Sequence, residues 1–104
     1  MPLDRSFVFV DAEVRARMIG FPIPPIALRK AVRAGQTVKI IFQPRSQPQG
    51  SDAAERMWLY VVRAERGGPF VGRLVNHPTV VDAKFGEEFV FGVEHVIDID
   101  GVAW

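Results

Sequence analysis

The chain contains no cysteine. That excludes a disulfide framework, thiolate-bound zinc and a cysteine nucleophile, and it fits a reducing compartment. No run approaches the roughly 18 apolar residues of a membrane span. The first apolar stretch, Phe7-Val8-Phe9-Val10, is stopped by Asp11 and is too short for a secretory leader. The expected compartment is therefore the cytoplasm, with no membrane partner. Glycines are scattered or paired, so no phosphate-cradling loop is present. Ser6, Ser46 and Ser51 lack the Gly-x-Ser-x-Gly setting of an activated nucleophile. Charge of one sign is missing too: 13 Lys/Arg against 12 Asp/Glu leave +1, which points neither toward a polyanion nor away from one.

What remains is the composition of a folded domain. At 104 residues, 48% apolar and 24% charged, the chain is long enough to bury a core as a single domain spanning 1–104. The charge is unevenly placed, with a balance of +5 over residues 1–50 and −4 over 51–104. Such asymmetry marks either a basic interaction face or two halves that attract each other across the fold.

Phe7-Val8-Phe9-Val10 has strand composition. Residues 11–19 alternate apolar and charged, as a strand would, yet Ala, Glu, Arg and Met favour a helix and Asp11 suits an N-cap; the segment leans to helix, ended by Gly20-Phe21-Pro22. After Pro22-Ile23-Pro24-Pro25 the spacing predicts a helix over 25–34. Its buried stripe is Leu28, Ala31 and Val32, Arg29, Lys30 and Arg33 face water, and Gly35 closes it. Residues 36–42 form a strand with Val38, Ile40 and Phe42 on one face. Residues 43–54 read as a polar, mobile loop.

The longest strand covers 55–65, with Met57, Leu59 and Val61 on one face and Trp58, Tyr60 and Val62 on the other. Both faces are apolar, so the strand is central or covered on both sides. Glu65-Arg66-Gly67-Gly68-Pro69 makes a hairpin turn into a return strand over 70–76. Gly72 there marks a bulge or a close approach, for instance under Trp58. Asn76-His77-Pro78 breaks that strand, with Asn76 capping its own turn. Lys84-Phe85-Gly86-Glu87-Glu88 turns the chain into Phe89-Val90-Phe91, and Val93–Ile99 closes the domain. The order predicts an α+β fold: a small antiparallel, strongly curved sheet or SH3-like barrel, with one or two short helices near the N-terminus. A strand-and-helix segment (1–33) precedes a β-rich block (34–99).

The block carries an ordered set of motifs: Glu55-Arg56-Met57-Trp58; Gly72, Leu74, Asn76 and Pro78; Gly86-Glu87; and Glu94-His95-Val96-Ile97, with Ala34–Phe42 upstream. Over roughly 34–99 it resembles the uncharacterised bacterial family typified by YegJ. Glu87 stands where the family usually has Asp. The resemblance implies a compact, β-rich bacterial domain and implies no chemistry.

No constellation for catalysis or metal binding emerges, and no cofactor is expected. Glu87 and Glu88 are neighbours that point oppositely on a strand. His95, Asp98 and Asp100 are a sparse ligand set, and His95 reads as a partly buried histidine bonded to backbone. Trp58, Tyr60, Phe70, Phe89 and Phe91, with Arg56, Arg63 and Arg73, suit either a core or an aromatic surface for bases. The expected function is a non-enzymatic binding or regulatory module with a protein or peptide partner. Nucleic-acid binding through the basic N-terminal half is the alternative, and a small hydrolase or metal enzyme a distant third. Candidate contact residues are Arg29, Lys30, Arg33, Arg56, Arg73, Asn76 and His77. The chain is expected to be a monomer or weak homodimer.

Overall fold

A computed structural model describes residues 6–46 and 54–104. It is an α+β fold in which one antiparallel sheet curls into a half-barrel. The strands are β1 (Phe7–Phe9), β2 (Thr37–Pro44), β3 (Glu55–Ala64), β4 (Phe70–Leu74), β5 (Glu88–Phe91) and β6 (Asp98–Ile99). They lie in the order β1-β2-β3-β4-β5, and β6 also pairs with β2. Two helices, α1 (Ala12–Ile19) and α2 (Ile26–Lys30), link β1 to β2, and a single 3-10 turn (Val93–His95) precedes β6.

Alternation builds the concave core. Val38, Ile40 and Phe42 of β2, Met57, Leu59 and Val61 of β3, and Phe70, Gly72 and Leu74 of β4 all point inward and are buried. Phe89 of β5 reaches across the half-barrel to Phe7, Phe9 and Phe42, with ring centroids 5.7–5.9 Å apart. Edge-to-face aromatic packing thus draws β5 toward β1. Gly72 is a packing requirement: a Cβ there would lie 2.9 Å from both Leu59 Cβ and Phe91 Cε1. The close approach expected of it is real, but Phe91 and Leu59 cause it, not Trp58.

Residues 11–19 resolve as helix because their termini are capped. Asp11 accepts the Val14 N–H at 3.1 Å. Gly20 adopts a left-handed φ of 76° and donates to Ala16 O, closing α1 as a glycine C-cap does. The prolines deliver the chain into α2, which is far shorter than the expected 25–34. It tightens after Lys30, where the Ala31 N–H is shared between the Ala27 and Leu28 carbonyls. Ala31 is exposed, so only Leu28 and Val32 of the expected stripe pack inward.

Arg29 is the main correction in this region. It was expected to face water, and it is 5% exposed. Its guanidinium donates to Pro24 O at 2.7 Å, to Val93 O at 2.9 Å and to the Glu13 carboxylate, fastening both helices to the 3-10 turn. A planar fork satisfies several acceptors in one buried spot, where an ammonium would not. Of the loop expected over 43–54, Gln43 and Pro44 belong to β2, and 47–53 lie outside the described residues.

Candidate functional site

The side of the sheet away from the core is the surface on which the chain's outward-facing aromatic and basic side chains meet. The apolar faces of 55–65 are read as those of a strand that is central or covered on both sides; β3 is central, between β2 and β4, and its outer side is not fully covered. Only the β2 end of this face is: Ile41 is buried under Val10, Ala12 and Ile97. Along β3 the same alternation that buries Met57, Leu59 and Val61 turns Arg56, Trp58 and Tyr60 outward.

Register aligns these side chains into rows. Lys39 lies between Asp98 and Trp58, and Tyr60 lies between Thr37 and Arg73, which in turn faces Glu88. Directly opposed side chains of this kind interact across strands. The Lys39 ammonium stands 4.7 Å over the Trp58 ring centroid, a cation–π distance. Arg73 pairs with Glu88 at 3.2 Å, both well exposed, so the pair adds little to stability. Asp98 accepts the Trp104 indole N–H at 3.0 Å.

Between Val61 and Arg63 the β3–β4 register shifts. A bulge of this kind re-aims side chains, and it sets Arg63 opposite Val71, next to Val90. Tyr60 (41% exposed) and Val90 (64%) are open to solvent, as is Val75. Lys39, Arg56, Arg63 and Arg73 therefore surround Trp58 and Tyr60, against Glu88 and Asp98 on the same face.

Beside this face hangs the loop from Asn76 to Ala83. Asn76 was expected to cap its own turn. Its Oδ1 instead accepts the Trp58 N–H at 2.6 Å, tying the loop to β3. Glu55 secures the rest: its carboxylate accepts the N–H groups of Thr79 (3.0 Å), Val80 (2.7 Å) and Val81 (3.0 Å) and the Thr79 hydroxyl. Burial alone would raise its pKa, but the hydrogen bonds from Thr79, Val81 and Val80 outweigh it and hold the carboxyl below 4.5. His77 stacks on Phe85, with centroids 4.7 Å apart.

Of the candidate contact residues, the structure brings Arg56 and Arg73 onto the outer face and places Asn76 at its margin. His77 sits on the adjoining loop. Lys30 and Arg33 are exposed elsewhere, Lys30 beside Arg66 at the β3–β4 hairpin. With Arg29 buried, the three basic residues of the α2 region do not make one surface. The aromatic set divides as well: Phe70, Phe89 and Phe91 belong to the core side, Trp58 and Tyr60 to the outer one. Lys39 and Glu55 were missed as site residues. Lys39 shows only once register sets it against Trp58, whereas its alternation with Val38 and Ile40 was visible.

His95 behaves as a structural histidine. Its Nδ1 accepts the Gly92 N–H at 3.0 Å, which requires that nitrogen to be unprotonated. Burial lowers its pKa below 6.5, against the opposing pull of Glu94, Asp11 and Glu13. Among the described residues no group of three or more His, Cys, Asp or Glu is placed to hold a metal ion, and no helix is long and apolar enough to cross a membrane. No family model, curated protein or solved structure matches the chain.

Proposed function

We propose that the protein is a non-enzymatic binding module that docks a protein or peptide partner on the outer face of its sheet. The observation that carries this reading is the row arrangement itself: Trp58 and Tyr60 ringed by Lys39, Arg56, Arg63 and Arg73, with Val75 and Val90 open beside them. Tyr, Trp and Arg are the residues that dominate binding hot spots. Four cations against two acids favour a partner surface that is acidic around an apolar anchor.

Single-stranded nucleic acid is less well served. Base stacking needs a free aromatic face, and the Lys39 ammonium already stands over the Trp58 ring. In the basic N-terminal half, Arg29 is buried against Glu13 and so is withdrawn from such a surface. Membership of the family typified by YegJ is part of the same proposal. The matching residues have structural duties: Glu55 and Asn76 hold a loop, and Gly72 makes room for Leu59 and Phe91.

The test is selection from a display library of acidic peptides with apolar anchors, followed by NMR mapping. Binders are expected to shift the amides of Lys39, Tyr60 and Arg73, and Arg73→Glu is expected to weaken them about tenfold, the effect of losing roughly 1.4 kcal/mol at a contact. Binders that map elsewhere, or affinity indifferent to Arg73→Glu, would overturn the reading. A salt-sensitive response to a single-stranded oligonucleotide alone would give the face to nucleic acid instead.

A further inference from the structure

The two most exposed large apolar side chains among the described residues lie on α1. Met18 and Ile19 are 76% and 71% exposed, and Val14 is open as well. Exposure on this scale, concentrated on two turns of helix, marks an interaction site more often than chance placement. Beside these side chains runs a groove of about 560 Å³, lined by Phe9 and Val10 from the end of β1 and by Val14, Arg15 and Met18 from α1, with Asp11 at its head. Met18 and Ile19 stand on the wall of this hollow, so one patch holds both protruding apolar side chains and a space beside them. Charge is ordered along it too: Asp11 and Glu13 stand at the N-terminal end of α1, and Arg15 and Arg17 toward its C-terminal end.

We infer that this patch binds a second copy of the same chain, through an isologous, antiparallel pairing of the two α1 helices about a two-fold axis near Val14. An isologous interface must be complementary to itself, and this patch is so in both shape and charge. Antiparallel apposition lays each Met18 against the Phe9–Val10 end of the other copy's groove. It also sets each basic end of α1 opposite the other copy's acidic end, where a parallel arrangement would oppose like charges. Glu13 is already held by Arg29, and Asp11 uses one carboxylate oxygen to cap the Val14 N–H, which leaves the exposed Asp11 carboxylate opposite the other copy's Arg17 as the principal charged contact. A patch of this extent falls at the low end of specific interfaces, roughly 1,000 Å² in total, so the dimer is expected to dissociate on the order of 10–100 µM. The outer sheet face is not used, so each copy keeps its proposed partner surface.

Sedimentation velocity across a concentration series is the direct test. The mass is expected to rise from the 11.6 kDa of one chain toward twice that value. Met18→Asp is expected to weaken association at least tenfold without disturbing the fold, since Met18 is solvent-exposed. A second measurement does not depend on that variant. Because the chain has no cysteine, Pro22→Cys, at an exposed position just beyond α1, carries a single nitroxide, and mixing it with ¹⁵N-labelled protein is expected to broaden the amides around Val14 of the ¹⁵N-labelled copy. A monomer at every concentration overturns the inference, as does a dimer indifferent to Met18→Asp or broadening confined to another surface. Met18 methyl protons shielded from a soluble relaxation agent in a monomer would give the groove to another segment of the same chain, which also overturns it.

Discussion

Glu55→Ala removes at one stroke the acceptor of three backbone N–H groups and one hydroxyl. The donors lie at or near the surface and rehydrate when released, so each bond is set at about 0.5–1 kcal/mol, the lower part of the usual range. Four such bonds give a loss of roughly 2–4 kcal/mol, or about 10–20 °C in Tm for a chain of this size. The loss is global because Val81 and Ala83, further along the loop, are buried in the core. Glu55→Gln keeps a carbonyl for Val80 and Val81 but turns an amide N–H toward Thr79, for a cost of about 1 kcal/mol.

The wild-type advantage over Gln has a defined pH dependence. The folded pKa of Glu55 lies below its ordinary 4.5, so the unfolded chain takes up the proton first. The stabilisation is fully present above about pH 4.5 and is lost as pH falls through the folded value. Urea melts of both proteins from pH 7 to 3 are expected to converge at the acid end. Amide exchange at Thr79, Val80 and Val81 is expected to accelerate in both variants. An alanine penalty under about 0.5 kcal/mol, or a wild-type–Gln gap unchanged at pH 3, would refute the reasoning.

Arg29→Ala is expected to cost about 3 kcal/mol in urea denaturation, the lower bound for breaking a buried pair, since it strands two carbonyls and leaves Glu13 without its partner. Arg29→Lys should recover little of this for want of the planar fork; full recovery would mean that charge alone matters there. For His95, burial holds the folded pKa below 6.5, so its contribution is present above about pH 6.5 and falls as pH drops through the folded value. His95→Gln is expected to flatten that segment of the stability profile, and an unchanged slope would assign it to another group.

Strand identities and the curved sheet were legible because they follow from local alternation: Val38-x-Ile40-x-Phe42 names its buried side, whereas along 55–65 both faces read as apolar and the structure shows Met57, Leu59 and Val61 to be the buried one. The α1 helix was legible from its caps more than from its periodicity. What was not legible depends on distant partners. A surface arginine and a buried one look alike until Pro24 O and Val93 O are known to converge on Arg29. Asn76 carries the side chain of a turn former, yet it bonds a β3 amide 18 residues away in sequence. The outer face needed register: Arg56 and Arg73 were visible as cations, but their grouping around Tyr60 with Lys39 is set by pairing across three strands.

The placement of β1 and β6 on β2 has a mechanical consequence. Both run antiparallel to β2 along the same edge, β1 against residues 42–44 and β6 against 38–39, like one strand cut in two. The chain enters at the Pro44 end and leaves at the Thr37 end. Tension applied across the two ends therefore pulls β1 and β6 in opposite directions along β2, loading their hydrogen bonds in shear, all together. Peeling them off singly would require a pull at right angles, which the chain's own ends do not supply. A partner or neighbouring segment tugging on both ends meets the molecule along its stiffest direction.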